Sequence, residues 1–252
     1  MKVKGVLLDI AGVLYEGDRE IKGAAGILEK LKKSYQVRLV TNTSRNTPES
    51  VYKKLVNMGF GVKRDEIFTA LDAARRVVAE SGKGAYMVMT DEAEEFFKDI
   101  IKEDIKYVIV ADAYNNFTYE RLNKAFRKLL EGAELLAVAK NRYFKDKDGK
   151  LSMDAGGFVK ALEYAAETKA TIVGKPSPLF FENAIKSMGL GKDEVIMVGD
   201  DIESDIKGAQ DIGIKAVLVK TGKYKPEVLD KGIKPDFIIE DITCLPSVLY
   251  KL

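Results

Sequence analysis

Acidic side chains follow two short apolar runs of the sequence. Asp9 comes directly after the first run, and Asp200, Asp201 and Asp205 come after a later one. Because both runs are short and rich in branched aliphatic residues, they predict buried strands, with the acidic groups at the strand ends. Adjacent carboxylates repel each other unless a cation lies between them. The pattern therefore favours a site for a divalent metal ion.

Groups suited to phosphate follow two further runs. Thr41, Asn42, Thr43 and Ser44 come after one of them and offer hydroxyl and backbone N–H groups. Lys175 comes after another and could neutralise phosphate charge. A helix-entry loop explains the first group equally well, and an exposed surface lysine is the usual explanation of the second. Only the combination of all four strand ends favours a site for phosphate chemistry.

The apolar runs alternate with segments that carry helix-start signals. The runs cover residues 3–8, 37–40, 171–173, 195–198 and 216–219. Helix starts are predicted where a hydroxyl residue precedes proline, as at Pro48 and Pro178. Such alternation indicates βαβ units and a parallel sheet, which binds ligands beyond the carboxyl ends of its strands.

The middle of the chain has strands and helices of its own. The predicted strands are residues 85–89, 107–110 and 135–139, and a helix is predicted to begin near Thr118. Between residues 144 and 151, the pair Asp148 and Gly149 predicts the tight turn of a hairpin. We therefore predict two domains, a core formed by residues 1–81 and 171–252 and an inserted α/β domain formed by residues 82–170.

Composition excludes several classes of protein. The chain has 252 residues, is 46% hydrophobic and carries a net charge of +2, so it can bury a core and has no strong field for nucleic acid or anionic membrane. Histidine is absent, which removes Ser-His and Cys-His catalysis and most zinc sites. One cysteine, Cys244, excludes an intrachain disulfide. With no stretch near the ~20 apolar residues of a membrane span, we expect a soluble cytoplasmic chain.

Four segments resemble, in the same order, the motifs of the haloacid dehalogenase-like hydrolase superfamily: residues 9–14, residues 41–44, Lys175 and residues 199–205. The resemblance covers essentially the whole chain, and the inserted domain matches the position of the cap in the branch that carries a large α/β cap. Within that branch, residues 161–176 and 219–224 are most similar to the phospholysine phosphohistidine inorganic pyrophosphate phosphatases. The implied fold class is α/β, a doubly wound parallel-sheet (Rossmann-like) core with an inserted α/β cap domain.

The resemblance implies a Mg²⁺-dependent phosphatase that acts on a small phosphorylated substrate. Asp9 would be the nucleophile and form an aspartyl-phosphate. Thr41 and the backbone of Asn42 would hold the phosphoryl oxygens, and Lys175 would stabilise their charge.

The resemblance also implies a set of metal ligands. Mg²⁺ would be held by the carboxylates of Asp9 and Asp200 and by the backbone carbonyl of Ala11. Asp205 and Asp201 would orient the metal ligands or their waters.

Ala11 departs from the pattern of the superfamily, whose members mostly carry a second aspartate there as the general acid and base. The phosphatase group named above carries serine at this position, so it departs in the same way. General acid and base assistance is typically worth ~10²–10⁴-fold in rate. We therefore expect good leaving groups, such as those of pyrophosphate, phosphoramidates and aryl phosphates, and low turnover.

Loops of the inserted cap could determine specificity. The candidates are Asn141, Arg142, Asp154, Gly156 and Gly157. An exposed arginine is the commoner explanation of Arg142, and Asp154 would disfavour anionic substrates if it faced the site. A cap of this kind is compatible with a homodimer.

Three other functions remain open. A signalling receiver also gathers Asp, Thr and Lys at parallel strand ends, but its chain is about half as long and its motifs come in another order. A catalytically weak or inactive protein that binds a phosphate ligand is favoured by Ala11. A general phosphomonoester phosphatase is the third alternative.

Overall fold

The computed structural model describes residues 2–145 and 150–252, without the side chain of Lys145. The chain divides into two compact units. The first unit contains residues 1–41, 48–68 and 175–252, and the second contains residues 42–47 and 69–174. The second unit is therefore larger than the inserted domain predicted from the sequence. The predicted limits of the core and cap domains stay a prediction.

The strands are, in chain order, β1 (Gly5–Asp9), β2 (Tyr15–Glu16), β3 (Arg19–Glu20), β4 (Gln36–Thr41), β5 (Ile67–Thr69), β6 (Gly84–Val88), β7 (Ile105–Val110), β8 (Glu134–Ala137), β9 (Tyr143–Lys145), β10 (Leu151–Met153), β11 (Thr171–Ile172), β12 (Val195–Gly199), β13 (Lys215–Val219) and β14 (Phe237–Ile239). The α-helices are α1 (Ala24–Lys32), α2 (Pro48–Asn57), α3 (Ala70–Ser81), α4 (Asp91–Phe97), α5 (Tyr119–Leu130), α6 (Ala155–Ala165), α7 (Pro178–Lys186), α8 (Gly208–Gln210) and α9 (Leu245–Leu249). A π-helix, Ile202–Lys207, precedes α8.

The first unit is built on a six-stranded sheet with the order β14-β13-β12-β1-β4-β5. The pairs of β1 with β4 and β12, and of β13 with β12 and β14, are parallel. Counted within this sheet alone, the strand order is 3-2-1-4-5-6 read from β5, which is the order of doubly wound α/β folds. Such sheets bind ligands where the order reverses, and here that point lies between the carboxyl ends of β1 and β12.

Both central strands are buried along their whole length, which explains their uninterrupted apolar sequences. Side chains such as Leu8, Leu39, Val198 and Val217 form one core cluster of the first unit. A strand that is buried along its whole length is held by its neighbours, so the position of its last residue is fixed as well. The fold therefore holds Asp9, at the end of β1, in a defined place.

The second unit contains a four-stranded sheet with the order β11-β8-β7-β6, and its pairs are parallel. The strands predicted at 85–89, 107–110 and 135–139 are confirmed as β6, β7 and β8. Thr118 caps α5, because its side chain accepts a hydrogen bond from the N–H of Arg121. The β9–β10 hairpin is antiparallel, as predicted, whereas its predicted turn residues Asp148 and Gly149 lie outside the described residues.

Five strands differ from the sequence-based expectation. Residues 171–173 were expected to begin the core, but β11 pairs with β8 in the sheet of the second unit. This run is too short to indicate which sheet it joins, because that depends on the distant strand with which it pairs. The strands β2, β3, β5 and β14 were not predicted, and each has only two or three residues.

Candidate active site

Asp9 ends β1 and is 7% exposed. In the parallel ladder it lies opposite Val40 of β4, and Thr41 is the next residue of that strand. A carboxylate and a threonine hydroxyl therefore belong to adjacent strand ends of the same sheet. This is the juxtaposition that the two sequence motifs predicted.

Lys175 forms the main ionic contact of Asp9. Its Nζ donates to Asp9 Oδ1 at 2.5 Å and to Asp205 Oδ1 at 2.6 Å, and its side chain is only 4% exposed. Burial lowers the pKa of this ammonium, but the carboxylates of Asp205 and Asp9 raise it more, so the net pKa lies above its ordinary value. Lys175 therefore stays protonated and holds both carboxylates in place.

Asp205 is positioned by the backbone at the end of β12. Its Oδ2 accepts a hydrogen bond of 3.1 Å from the N–H of Asp201, which caps the π-helix. A Cβ at Gly199 would lie 2.3 Å from that same oxygen, so glycine is required for this close approach. Burial raises the pKa of Asp205 to about 6, although Lys175 acts in the opposite direction. With both oxygens engaged, Asp205 is arranged to position Lys175.

Asp201 has a local structural role. Its Oδ1 accepts hydrogen bonds of 3.0 Å from the N–H groups of Glu203 and Ser204, and its Oδ2 lies 3.0 Å from the ammonium of Lys223. Burial raises its pKa, but Lys223 and these N–H groups lower it more, so the net pKa is below its ordinary value.

Asp200 has one oxygen engaged and one without a partner. Oδ2 accepts a hydrogen bond of 2.7 Å from the N–H of Lys223. Oδ1 is buried and has no hydrogen-bond partner among the described residues. Burial, followed by the negative charge of Asp205, raises the pKa of Asp200 to about 6. A buried carboxylate oxygen without a partner is costly unless a ligand satisfies it.

The residues of this site fit a divalent cation. Asp9, Asp200 and Asp205 each have a carboxylate oxygen within 4.8 Å of those of the other two, although both oxygens of Asp205 already accept hydrogen bonds. Lys175 offsets only part of their negative charge. Oxygen ligands are those that Mg²⁺ prefers, and the unpartnered Oδ1 of Asp200 is the atom that a metal would satisfy. Ala11 follows β1 in an isolated bridge to Tyr15, and the role of its carbonyl stays a prediction.

The predicted residues fall into two groups. Asp9, Thr41, Lys175, Asp200, Asp201 and Asp205 belong to the first unit. Asn42 and the cap candidates Asn141, Arg142, Asp154, Gly156 and Gly157 belong to the second unit.

Two of the cap candidates shape the start of α6. Asp154 caps the helix, since its Oδ1 accepts a hydrogen bond of 2.6 Å from the N–H of Ala155, and burial raises its pKa. The N–H of Gly156 donates to the carbonyl of Asn141 at 3.0 Å, and a Cβ at Gly156 would lie 2.3 Å from that oxygen. Asn141 and Arg142 are exposed. Any role of these residues in specificity stays a prediction.

The sequence reasoning did not assign residues 221–223 to the site, although they follow β13. A Cβ at Gly12 or at Gly222 would lie 2.0 Å from Asp200 Oδ2, so both glycines leave room for this carboxylate. Both have positive φ angles, +87° and +65°. The signal was present in the sequence, because a threonine and a glycine follow one more apolar run of the predicted sheet.

Two family models match the chain. The model described as haloacid dehalogenase-like hydrolase matches residues 6–102, and a HAD-hydrolase-like model matches residues 172–245. Curated relatives match at more than 40% identity over nine tenths of the chain. The chain belongs to the haloacid dehalogenase-like hydrolase family, so the resemblance deduced from its motifs is confirmed.

The particular relatives carry hydrolase and phosphatase names. Haloacid dehalogenase-like hydrolase domain-containing protein 2 of Bos taurus is 43% identical over 91% of this chain and 88% of that protein. Phospholysine phosphohistidine inorganic pyrophosphate phosphatase of Xenopus laevis is 39% identical over 89% of this chain and 86% of that protein. The crystal structure of a 4-nitrophenylphosphatase from Thermotoga maritima matches with a TM-score of 0.89 and 29% identity, covering 98% of this chain and 97% of that one.

These matches agree with the predicted fold class and with the prediction of an enzyme. The described part of the chain contains no helix whose length and apolar character would let it cross a membrane.

Mg²⁺ is expected to raise the midpoint of thermal unfolding, because it would satisfy Asp200 and offset the repulsion among the three carboxylates. At a free concentration 100 times its dissociation constant, a ligand of the folded state adds about 2.7 kcal/mol to the free energy of unfolding. Asp200→Asn should abolish this shift, whereas Asp230→Asn, at an exposed position, should leave it intact. Thermal unfolding with and without Mg²⁺ measures the effect, and a full shift in Asp200→Asn would contradict the assignment.

Proposed function

We propose that this protein is a Mg²⁺-dependent phosphatase that forms an aspartyl-phosphate on Asp9. One observation carries the proposal: the buried carboxylate of Asp9 is held by a buried lysine and lies close to the carboxylate of Asp200, whose Oδ1 has no partner among the described residues. A structural ion pair does not need that extra carboxylate. A site that binds a cation and a phosphoryl group does need it.

In the first step, an oxygen of Asp9 attacks phosphorus in line with the leaving group. Lys175, which stays protonated, fixes the direction of the carboxylate and adds positive charge for the phosphoryl oxygens. Thr41, with the backbone of Asn42, binds these oxygens. Mg²⁺, held by Asp9, Asp200 and the carbonyl of Ala11, would supply further positive charge when bound.

In the second step, water attacks the phosphorus of the aspartyl-phosphate, the bond from phosphorus to the Asp9 oxygen breaks, and the carboxylate of Asp9 is released. The protons of the water stay with the phosphate product. A carboxylate has a pKa near ~4, so it departs without protonation. This step therefore needs less assistance than the departure of an alcohol.

Ala11 restricts the substrate class. Its methyl group can neither donate nor accept a proton, so the leaving group must depart without a proton from this position. Phosphate, nitrophenolate and groups that already carry a proton meet this condition, whereas an alkoxide does not. The names of the relatives, which include a pyrophosphate phosphatase and nitrophenylphosphatases, support the same substrate class.

Ala11 also favours a second candidate function, a catalytically weak or inactive protein that binds a phosphate ligand. Such a protein would keep the binding residues and need no proton shuttle. A general phosphomonoester phosphatase is the less favoured alternative, because it must release alkoxides. Cytoplasmic location and a homodimer stay predictions.

A panel of pyrophosphate, a phosphoramidate, nitrophenyl phosphate and a sugar phosphate tests the proposal, assayed with Mg²⁺ and with a chelator. We expect phosphate release from the first three in Mg²⁺ and about 10-fold or more slower release from the sugar phosphate. Binding of phosphate without turnover of any substrate would favour the inactive protein. Fast turnover of the sugar phosphate would favour the general phosphatase.

A further inference from the structure

The loop of residues 220–224, which we call the β13 loop, is fastened to the candidate active site. Three hydrogen bonds attach it: Thr221 Oγ1 to the carbonyl of Gly12 at 2.5 Å, the N–H of Gly222 to Glu16 Oε1 at 2.6 Å, and the N–H of Lys223 to Asp200 Oδ2 at 2.7 Å. Two of the acceptors belong to the segment that follows the nucleophile, and the third is a candidate metal ligand. These bonds place the backbone of the loop directly against the candidate site.

Close backbone packing fixes the loop further. A Cβ at Gly222 would lie 2.5 Å from the Cα of Gly12 and 2.0 Å from Asp200 Oδ2. Two glycine backbones and one carboxylate thus share a space that admits no further side chain. Lys223 follows directly, so its backbone position is defined by that of Asp200.

The ammonium of Lys223 is available to a ligand. Its Nζ lies 3.0 Å from Asp201 Oδ2, and the side chain is 71% exposed, in contrast to the buried side chain of Lys175. An ammonium has three N–H donors, and its contact with Asp201 engages one of them. Among the described residues, donors of Lys223 therefore remain for a ligand. Asp201 is itself fixed by its helix-capping hydrogen bonds.

A second cation lies close to the nucleophile. The backbone N–H of Lys223 binds Asp200 Oδ2 at 2.7 Å, and Asp200 and Asp9 have carboxylate oxygens within 4.8 Å of each other. Lys175 is already engaged by two carboxylates. Lys223 is thus a second cation near Asp9, and it is exposed where Lys175 is buried.

The chemistry at Ala11 creates a need for such a cation. When pyrophosphate reacts, a bond forms between an Asp9 oxygen and the attacked phosphorus, and the bond from that phosphorus to the bridging oxygen breaks. The electron pair leaves with the second phosphate, which gains one negative charge, and no proton is transferred. Nitrophenolate spreads its charge over an aromatic ring and needs a nearby cation less.

We infer that Lys223 is a specificity-determining residue whose ammonium binds the departing phosphate and so favours anionic leaving groups, with pyrophosphate as the type of substrate. This inference rests on the proposed phosphatase function and deepens it. It gives the site an electrostatic substitute for the general acid that Ala11 lacks.

The test compares kcat/KM for pyrophosphate and for nitrophenyl phosphate in wild type and Lys223→Gln. A hydrogen bond to a charged group is worth about 1.5–3 kcal/mol, so Lys223→Gln should lose about 10- to 100-fold on pyrophosphate. On nitrophenyl phosphate we expect a loss below about 3-fold. Lys223→Arg should recover most of the pyrophosphate activity, because it restores the charge.

Lys220→Gln is the matched control, since Lys220 lies in the same loop and pairs with Glu240 at 2.6 Å. It should leave the ratio of the two activities unchanged, and the thermal unfolding midpoint shows whether each variant is folded. If wild type releases phosphate from neither substrate, the proposed function fails, and the inference fails with it. If wild type cleaves both and Lys223→Gln lowers both equally or neither, only the inference is overturned.

Discussion

Asp9→Asn is expected to abolish Mg²⁺-dependent release of phosphate, with a loss of about 10³-fold or more. An amide has the shape of the carboxylate but is a far poorer nucleophile toward phosphorus. It also removes a negative charge from the proposed metal site. Phosphate release from pyrophosphate and nitrophenyl phosphate measures the effect, and the wild-type chain, quenched in acid, should carry a phosphoryl group on the peptide that contains Asp9.

The variant should remain folded. Burial raises the pKa of Asp9, which means that the fold disfavours its charged form, and Asn removes that cost. Lys175 keeps its contact with Asp205 at 2.6 Å. Asp18→Asn is a suitable control, because that side chain is 97% exposed and lies in the same N-terminal segment. Near wild-type activity in Asp9→Asn would refute the assignment of the nucleophile.

Ala11→Asp is expected to raise activity on alkyl phosphates more than activity on pyrophosphate. An aspartate at this position supplies the missing general acid and base, and such assistance is worth ~10²–10⁴-fold where the leaving group needs a proton. Phosphate needs little protonation and should gain little. Ala11 is exposed, so the longer side chain can be accommodated. Kinetics on glycerol phosphate and pyrophosphate, compared as ratios of kcat/KM, measure the change.

The variant Ala11→Asn distinguishes the effect of proton transfer from the effect of side-chain size and polarity. It has the size and polarity of aspartate but cannot transfer a proton, so it should not reproduce the gain on alkyl phosphates. Equal gains on both substrates with Ala11→Asp would refute the argument from proton transfer. So would an equal gain with asparagine, which would point to a polar contact instead.

Much of the site could be predicted because its residues stand directly after buried strands. The apolar residues before Asp9 and before Asp200 define β1 and β12 locally, and parallel strands bring their carboxyl ends to one edge of a sheet. Lys175 was found in a similar way, although the strand before it joins the other sheet. The position of β11 could not be predicted, because two residues carry too little pattern to select a partner.

The roles of Asp201 and Asp154 required the structure. In the sequence, each is an acidic residue near a motif or a loop, and both suggested chemistry. In the fold, Asp201 caps the π-helix and pairs with Lys223, and Asp154 caps α6. A carboxylate at a helix start satisfies backbone N–H groups, and the sequence alone does not distinguish this use from ligand binding.

The sequence by itself determined which residue types stand at the strand ends, because a buried strand can be recognised from a run of adjacent apolar residues. Tertiary structure decided which oxygens are paired and which is not. Asp200 Oδ2 packs against Gly12 and Gly222, residues far from it in the chain, whereas Oδ1 has no partner among the described residues. They also bring Lys223 to the site. Contacts of this kind depend on distances between distant segments, which no local pattern encodes.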